Sequence, residues 1–499
     1  MNAMNPARAP LDLLIVGAGI SGIGMAAHFR RKCPGKRFAI LERRERLGGT
    51  WDLFRYPGVR SDSDMYTLGY GFEAWRDEQA IAGGARILDY LDRVVDGRDL
   101  RRHIRFGQQV VSANWDSKAG LWTLKMADGA NMQGRFLFLG SGYYDYDDPH
   151  DAQIPGLDAF GGTVIHPQFW PENFDYAGKR VVVIGSGATA VTLVPAMTEQ
   201  AAHVTMLQRT PGWLVRRPVK DGLASALRRF LPASWASRLM RDFNARLQGW
   251  LYNRCRTAPE KSAEYFTNEL RKELGEAYDP VAFTPPYKPW DQRLCVVPDG
   301  DFFDAVKSGR ASVVTGTIAQ VDAAGVKLED GRHIDADIIV PATGLRLALM
   351  GKIAVSLDGE PVNFAERFYY RSCMFSNVPN FAALFGYLNA GWTLRVDIVA
   401  DWLCRLFNHM DAWGREVATP YLPADHGLIE DDPIEAFSSG YLQRARTIMP
   451  RNAATAPWRI GMNYLTDRKE LRDAPIDDGV LRFERAGVGA VLRPSTSSG

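Results

Sequence analysis

Cysteine is scarce in this chain, and no two cysteines are close in sequence. The five thiols, Cys33, Cys255, Cys295, Cys373 and Cys404, are scattered over 499 residues with no CxxC or CxxxxC spacing. That excludes a zinc knuckle and a local redox disulfide, and with the latter the flavin disulfide reductases; no metal site is expected. Neither sign of charge is in excess: 60 basic residues face 58 acidic ones, a formal net charge of +2. Nucleic acid is therefore not expected as a partner. No apolar run of about 20 residues suits a bilayer. The N-terminus has Arg8 but no long apolar signal core, and the long uncharged run Val181 to Met197 reads as strand, turn and helix. A reducing, cytoplasmic setting is the default. What remains is an ordinary soluble composition, 46% hydrophobic and 24% charged, long enough for several domains.

Two glycine-rich turns stand out, 168 residues apart. The first is GAGISG, Gly17 to Gly22, after the apolar run Leu13-Leu14-Ile15-Val16; the second is GSGATA, Gly185 to Ala190, after Val181-Val182-Val183-Ile184. Each run reads as a buried parallel strand feeding a helix. Gly17, Gly19, Gly22, Gly185, Gly187 and the small Ala188 and Ala190 leave room for backbone to approach a pyrophosphate, which the helix N-terminus binds with free N–H groups. Ser21, Ser186 and Thr189 can add hydrogen bonds there. The charges that follow differ. Twenty residues past Gly22, the strand Phe38-Ala39-Ile40-Leu41 ends in Glu42; nineteen past Ala190, Val204-Thr205-Met206-Leu207 ends in Gln208-Arg209-Thr210. A carboxylate accepts from ribose hydroxyls and repels a 2'-phosphate, whereas an arginine accommodates it. The chain is thus expected to hold two different dinucleotides, the second being NADP.

The expected fold is α/β, with two Rossmann-like dinucleotide-binding domains and a helical insert. Residues 1–145 form the first part of the first domain, closing on Phe136-Leu137-Phe138-Leu139 and joined by a polar link from Tyr143 to Pro155. Residues 156–340 form the second, interrupted at about 222–285 by Leu223, Leu227, Phe230, Leu231, Trp235, Leu239, Phe243, Leu247 and Leu251 at helical spacing. Residues 341–490 return to the first domain through Asn380-Phe381 and Trp392, and 491–499 form a frayed tail. From Gly222 to Pro259 there are seven arginines and one acid, Asp242. Two readings stay open for this insert. It is a membrane-surface or partner-binding helix, or a lid whose apolar face covers a substrate tunnel while its arginines are solvated.

Two longer motifs carry a family resemblance. Phe160, Gly162, His166, Trp170 and Pro171 match the FxGxxxHxxxWP fingerprint of type I Baeyer–Villiger monooxygenases, and Gly49, Trp51, Tyr56, Pro57, Gly58 and Asp62 match that family's second fingerprint. Stretches such as GGTWDLFRYPGVRSDSDMYTLG and PWDQRLC are similar to the ethionamide-activating branch. The resemblance spans nearly the whole chain. It implies FAD at the first turn, with Thr50, Asp52 and Val110 joining Gly49, Trp51 and Asp62 around it, and NADPH at the second. It further implies that hydride from NADPH reduces FAD, that oxygen adds to give a C4a-peroxyflavin, and that this attacks a ketone to yield an ester or lactone. Arg293 matches the cation that holds the peroxide, and Asp62 the carboxylate that orients Arg293. Sulfide, thioamide or amine oxygenation is the alternative, and a non-catalytic NADPH-binding protein the rival outside enzymes. Gln292 stands where many relatives have lysine toward the 2'-phosphate, which softens the preference for NADPH. His166 alone reads as a packed, hydrogen-bonded histidine.

Overall fold

The run Leu11–Val16 is a strand in which Leu13, Leu14 and Ile15 have no exposed surface. Apolar residues on both faces are satisfied only between two covering layers, which is the environment of a parallel strand. It pairs in parallel with Phe38–Leu41 on one side and Asn131–Leu139 on the other. The sheet built around it has nine strands in the computed structural model, which describes residues 9–487 apart from 433, 434 and 436. The expected tail and Arg8 lie outside the described residues. Chain from beyond residue 340 joins this same sheet: Ala354–Leu357 pairs with Val110–Asp116, and Phe381–Ala383 with Asn131–Leu139. The long helix Trp392–Ala412 then covers it, with Phe407 edge-on to Phe29 and Phe136.

A second sheet of five strands is parallel throughout. Its order is Ala311–Thr315, His203–Gln208, Arg180–Ile184, Ile338–Pro341, Thr163–Val164. Each sheet carries its glycine turn at the carboxyl end of a central strand, where open α/β sheets place ligands. The two halves touch at Gly58. A Cβ built there would stand 2.7 Å from the Ala196 side chain and 3.1 Å from the Thr192 carbonyl oxygen, both on the helix Ala188–Met197. At φ +75°, Gly58 is also in the left-handed region.

The insert is helical, as its periodicity predicts: Gly222–Phe230, Ala233–Thr257, Pro259–Leu274 and Pro280–Phe283. Its orientation differs from the lid reading. Leu227 and Leu251 pack inward, but Phe230, Trp235 and Trp250 are 82%, 61% and 62% exposed. Nor are all the arginines solvated. Arg241 is buried, paired with Asp397 at 2.6 Å and donating to the carbonyls of Gly69 (2.5 Å) and Tyr66 (3.0 Å). Arg228 donates to the Asp77 carbonyl and the Tyr66 hydroxyl, each at 2.7 Å. The reason is what the helix meets. The end of the short helix Met65–Leu68 presents carbonyls, and Asp397 a carboxylate, so donors and not apolar groups are needed against them.

Removing one partner of a buried ion pair strands the other. Arg241→Ala is expected to destabilise the protein by about 3–5 kcal/mol. A melting temperature of the FAD-loaded protein unchanged by this substitution would show that the clamp is not structural.

Candidate active site

Where the first sheet ends, the chain encloses a cavity of about 350 Å³. One wall is the turn, with Gly17, Gly19 and Ser21 lining it at the N-terminus of the helix Ile20–Lys32. The glycines are used differently from expectation. A Cβ on Gly22 would overlap the Gly17 carbonyl oxygen, and one on Gly17 (φ +99°) would stand 2.7 Å from that of Gly140. Gly19, expected to have no room at all, meets only the Gly49 backbone, at 3.5 Å and beyond. Gly17 and Gly22 therefore close the fold, while Gly19 keeps open the surface that faces a ligand. Glu42 is buried at the end of its strand, accepts from the amides of Ala18 (2.7 Å) and Arg44 (2.9 Å), and lines the same cavity. Burial pushes its carboxyl above the usual range, against the pull of those amides and of Arg44 and Arg43.

The opposite wall comes from the loop 48–63. Gly49, Thr50, Trp51, Tyr56 and Asp62 line the cavity, as does Val110 from a neighbouring strand. Asp52 does not line it. Its carboxylate is held by Arg44 (2.7 Å), Arg46 (3.1 Å) and Arg55 (3.1 Å), so it braces the loop from behind instead of facing the cavity as a ligand contact. From the second half, Ala188 and Thr189 reach the cavity, while Ala190 is buried behind them. Gly185, Ser186, Gly187, Arg209 and Thr210 form a separate rim at the end of the second sheet. There Gly185 crowds the Ala342 carbonyl, Ser186 donates to the Thr210 carbonyl at 2.8 Å, and Arg209 is exposed.

Arg293 and Asp62 share the cavity without forming an ion pair with each other. Arg293 follows the proline-rich segment 285–289 and precedes the strand Cys295–Pro298. Its side chain is accessible, but to the cavity, for Tyr441, Tyr143, Tyr144 and Asp62 all lie in its field. Burial opposes its charge; those groups outweigh the effect and hold its pKa above the ordinary guanidinium value. Near neutral pH the phenols are uncharged, since burial pushes Tyr144 up to about 12, so the anion that counts is Asp62. Burial raises Asp62 to about 6, despite Arg293, Arg60 and the Val296 amide.

Several site residues escape sequence reasoning. The link read as polar surface is a wall of the cavity: Tyr143 and Tyr144 share a hydroxyl contact at 3.0 Å, and Tyr146 meets Thr50 at 3.0 Å. Lys352, paired with Asp145 at 2.5 Å, lines it too. Trp392 stacks on Tyr143 and donates to Ser21 at 2.8 Å. Arg60 bridges to Asp301 at 2.5 Å, tying the loop to the second half. Tyrosines spaced one or two apart beside Asp and Pro are the only signal that was available. His166 does what its lone reading said: its Nδ1 accepts from the Gln168 amide at 3.2 Å, and Gln168 donates to the Asp145 carbonyl. All five cysteines are free and buried, and no metal-holding cluster occurs among the described residues.

A glycine-lined cradle at a helix N-terminus, closed by a buried carboxylate, fits an FAD pyrophosphate and ribose. The comparisons agree. A family model described as pyridine nucleotide-disulphide oxidoreductase matches residues 14–238. The probable FAD-binding monooxygenase AlmA of Acinetobacter baylyi is 46% identical over 480 residues, covering 95% of this chain and 96% of that protein. The FAD-containing monooxygenase EthA of Mycobacterium tuberculosis is 45% identical over 480 residues, covering 95% and 98%. The chain belongs to the FAD-containing monooxygenases. Its fold is that of the Baeyer–Villiger enzymes: cyclohexanone monooxygenase from Rhodococcus bound to NADP superposes with a TM-score of 0.74 at 22% identity, covering 96% and 100%. A steroid monooxygenase bound to NADP superposes with 0.73 at 22% identity over the same shares. FAD is the cofactor its relatives are named for, and solved structures of this fold hold FAD and NADP together.

Two outcomes follow from this geometry. Gly19→Val is expected to fold and melt normally yet purify without yellow flavin, while Gly22→Val fails to fold; a flavin-loaded Gly19→Val protein would contradict the assignment of that surface. Asp62 is ionised above about pH 6, so its field on Arg293 is present above that value and fades as pH falls through it. A rate profile with an inflection near pH 6 should lose it in Asp62→Asn.

Proposed function

We propose that this monooxygenase inserts one oxygen atom of O2 into ketones to give esters or lactones, with NADPH as donor. The observation that carries the reading is a guanidinium, Arg293, in no ion pair among the described residues, facing the FAD-fitting cavity with a titrating carboxyl, Asp62, in its field. Bound FAD would accept hydride from NADPH and activate dioxygen. The chain's own part is to bind, orient and stabilise charge. Amides at Gly17 to Ser21 hold the pyrophosphate, and Glu42 accepts from the ribose. Arg209, exposed beside the second turn, meets the 2'-phosphate. Arg293 faces the negative charge that develops on the oxygen being transferred, in a cavity walled by uncharged Tyr143 and Tyr144 where such a contact is little screened. Gln292, half-buried beside it, brings no second cation. Five buried free thiols suit the reducing cytoplasm in which we place the enzyme.

Arg293→Ala should still bind both cofactors and consume NADPH. Losing one preorganised donor to a developing anion typically slows an enzymatic step by about 10²–10³, and a loss of that order is expected for oxygen transfer. Ester should therefore give way to hydrogen peroxide, and Arg293→Lys should recover only part of the activity. Normal ester yield in Arg293→Ala would end this reading, and oxygenation of sulfides with ketones untouched would replace it by heteroatom oxygenation. Arg209→Ala should raise the KM for NADPH about tenfold or more, from the loss of a charge-assisted contact, and leave that for NADH unchanged; equal shifts would remove the 2'-phosphate assignment.

A further inference from the structure

The helix Ala233–Thr257 turns four large apolar residues outward, and the same face carries charge that is in no ion pair among the described residues. Trp235, Leu239, Phe243 and Trp250 are 61%, 48%, 48% and 62% exposed. Their spacing of four, four and seven residues puts them on one stripe. Arg238, Arg246 and Arg254 interleave with that stripe, all exposed and none in an ion pair among the described residues. Phe230, 82% exposed, and Arg229 extend the patch onto the preceding helix. The one acid between Gly222 and Pro259, Asp242, is neutralised by Arg468 at 2.8 Å. The patch is therefore aromatic and aliphatic at its centre and cationic around it, and the two helices that form it carry no other carboxylate. The helix of 25 residues is about 37 Å long at 1.5 Å per residue.

We propose that this face docks the enzyme on an anionic lipid bilayer, with the helix lying in the plane of the headgroups. Long arginine side chains can reach outward to phosphates while tryptophan and phenylalanine rings sit at the acyl boundary. Charge decides against the other simple occupant, a second copy of this chain. A two-fold contact through the patch would set Arg238, Arg246 and Arg254 against their own counterparts, with no acid on either side to pair with them. The mode is peripheral, because no helix among the described residues is long and apolar enough to cross a membrane. The inner face of the same helix is fixed to the protein by Arg241 on Asp397 and by Gln248 on Asp64, so docking would hold the FAD domain and not a loose appendage.

The test is co-sedimentation of the full FAD-loaded chain with vesicles of phosphatidylglycerol and phosphatidylcholine, against phosphatidylcholine alone. The expected result is binding to the anionic vesicles only, weakened by salt. Each arginine near a charged surface changes the partition by about fivefold, so the triple variant Arg238→Gln, Arg246→Gln, Arg254→Gln should lose roughly a hundredfold. Phe243→Ser with Trp250→Ser should lose binding at every salt concentration. NADPH oxidation in all these variants stays at the wild-type rate, which separates lost docking from lost folding. Equal binding to both vesicle types, no binding, or an unchanged triple variant would overturn the proposal. So would light scattering that shows a wild-type oligomer dispersed by Phe243→Ser, which would make the patch a contact between protein chains.

Discussion

Backbone against backbone is the contact on which the whole arrangement rests. At the end of the first sheet, Gly17 lies on the Gly140 carbonyl, Gly22 on that of Gly17, and Gly49 comes within 3.1 Å of the Gly19 Cα, measured from the position a Cβ would take. Three segments far apart in sequence converge without a side chain between them. Only that closeness leaves a helix N-terminus bare enough to hold an anion, with Glu42 behind it and Ser21 beside it. The rest of the site hangs from this knot. The loop 48–63 leaves from Gly49, and the tyrosine-bearing link leaves from Gly140 and Gly142.

The electrostatics of the site follow from what surrounds that loop. Asp62 receives attraction from Arg293 and Arg60, yet burial outweighs both and brings its titration close to neutral pH. Asp52, ten residues earlier, is buried and has three guanidinium groups in direct contact. The same loop thus holds one carboxylate in a structural brace and presents another to the cavity. Arg293 is the complementary case: a charged group held among neutral phenols, kept protonated and kept available.

Both nucleotide turns, their strands and the sign of charge that follows each were legible in the sequence, because a buried parallel strand and a glycine turn each need particular residue types at fixed offsets. The long fingerprint at 48–62 was legible as a resemblance. The walls at Tyr143, Tyr144 and Tyr146 were not, since a polar link after a strand reads as solvated surface, and Lys352 reaches the cavity only through the return of residues beyond 340 to the first sheet. The insert shows the limit most clearly. A period of 3.6 residues reports that a helix has two faces and is silent on which one meets protein. Here the carbonyls at Tyr66 and Gly69 required donors, and the apolar side was left outside.

Gly58 holds a further consequence. It sits where the loop 48–63 of the first half bears on the helix Ala188–Met197 of the second, with the Ala196 methyl group against it. At this point the contact is bare backbone against a methyl group, while Arg60 on Asp301 ties the same loop to the second half, so the spacing of the two halves is set here by van der Waals contact. The nearest approach of one nucleotide site to the other is then a matter of clearance, set in part by a residue that has no functional group. Bulk added at this single point would act as a shim between two otherwise intact halves, separating donor from acceptor without touching either.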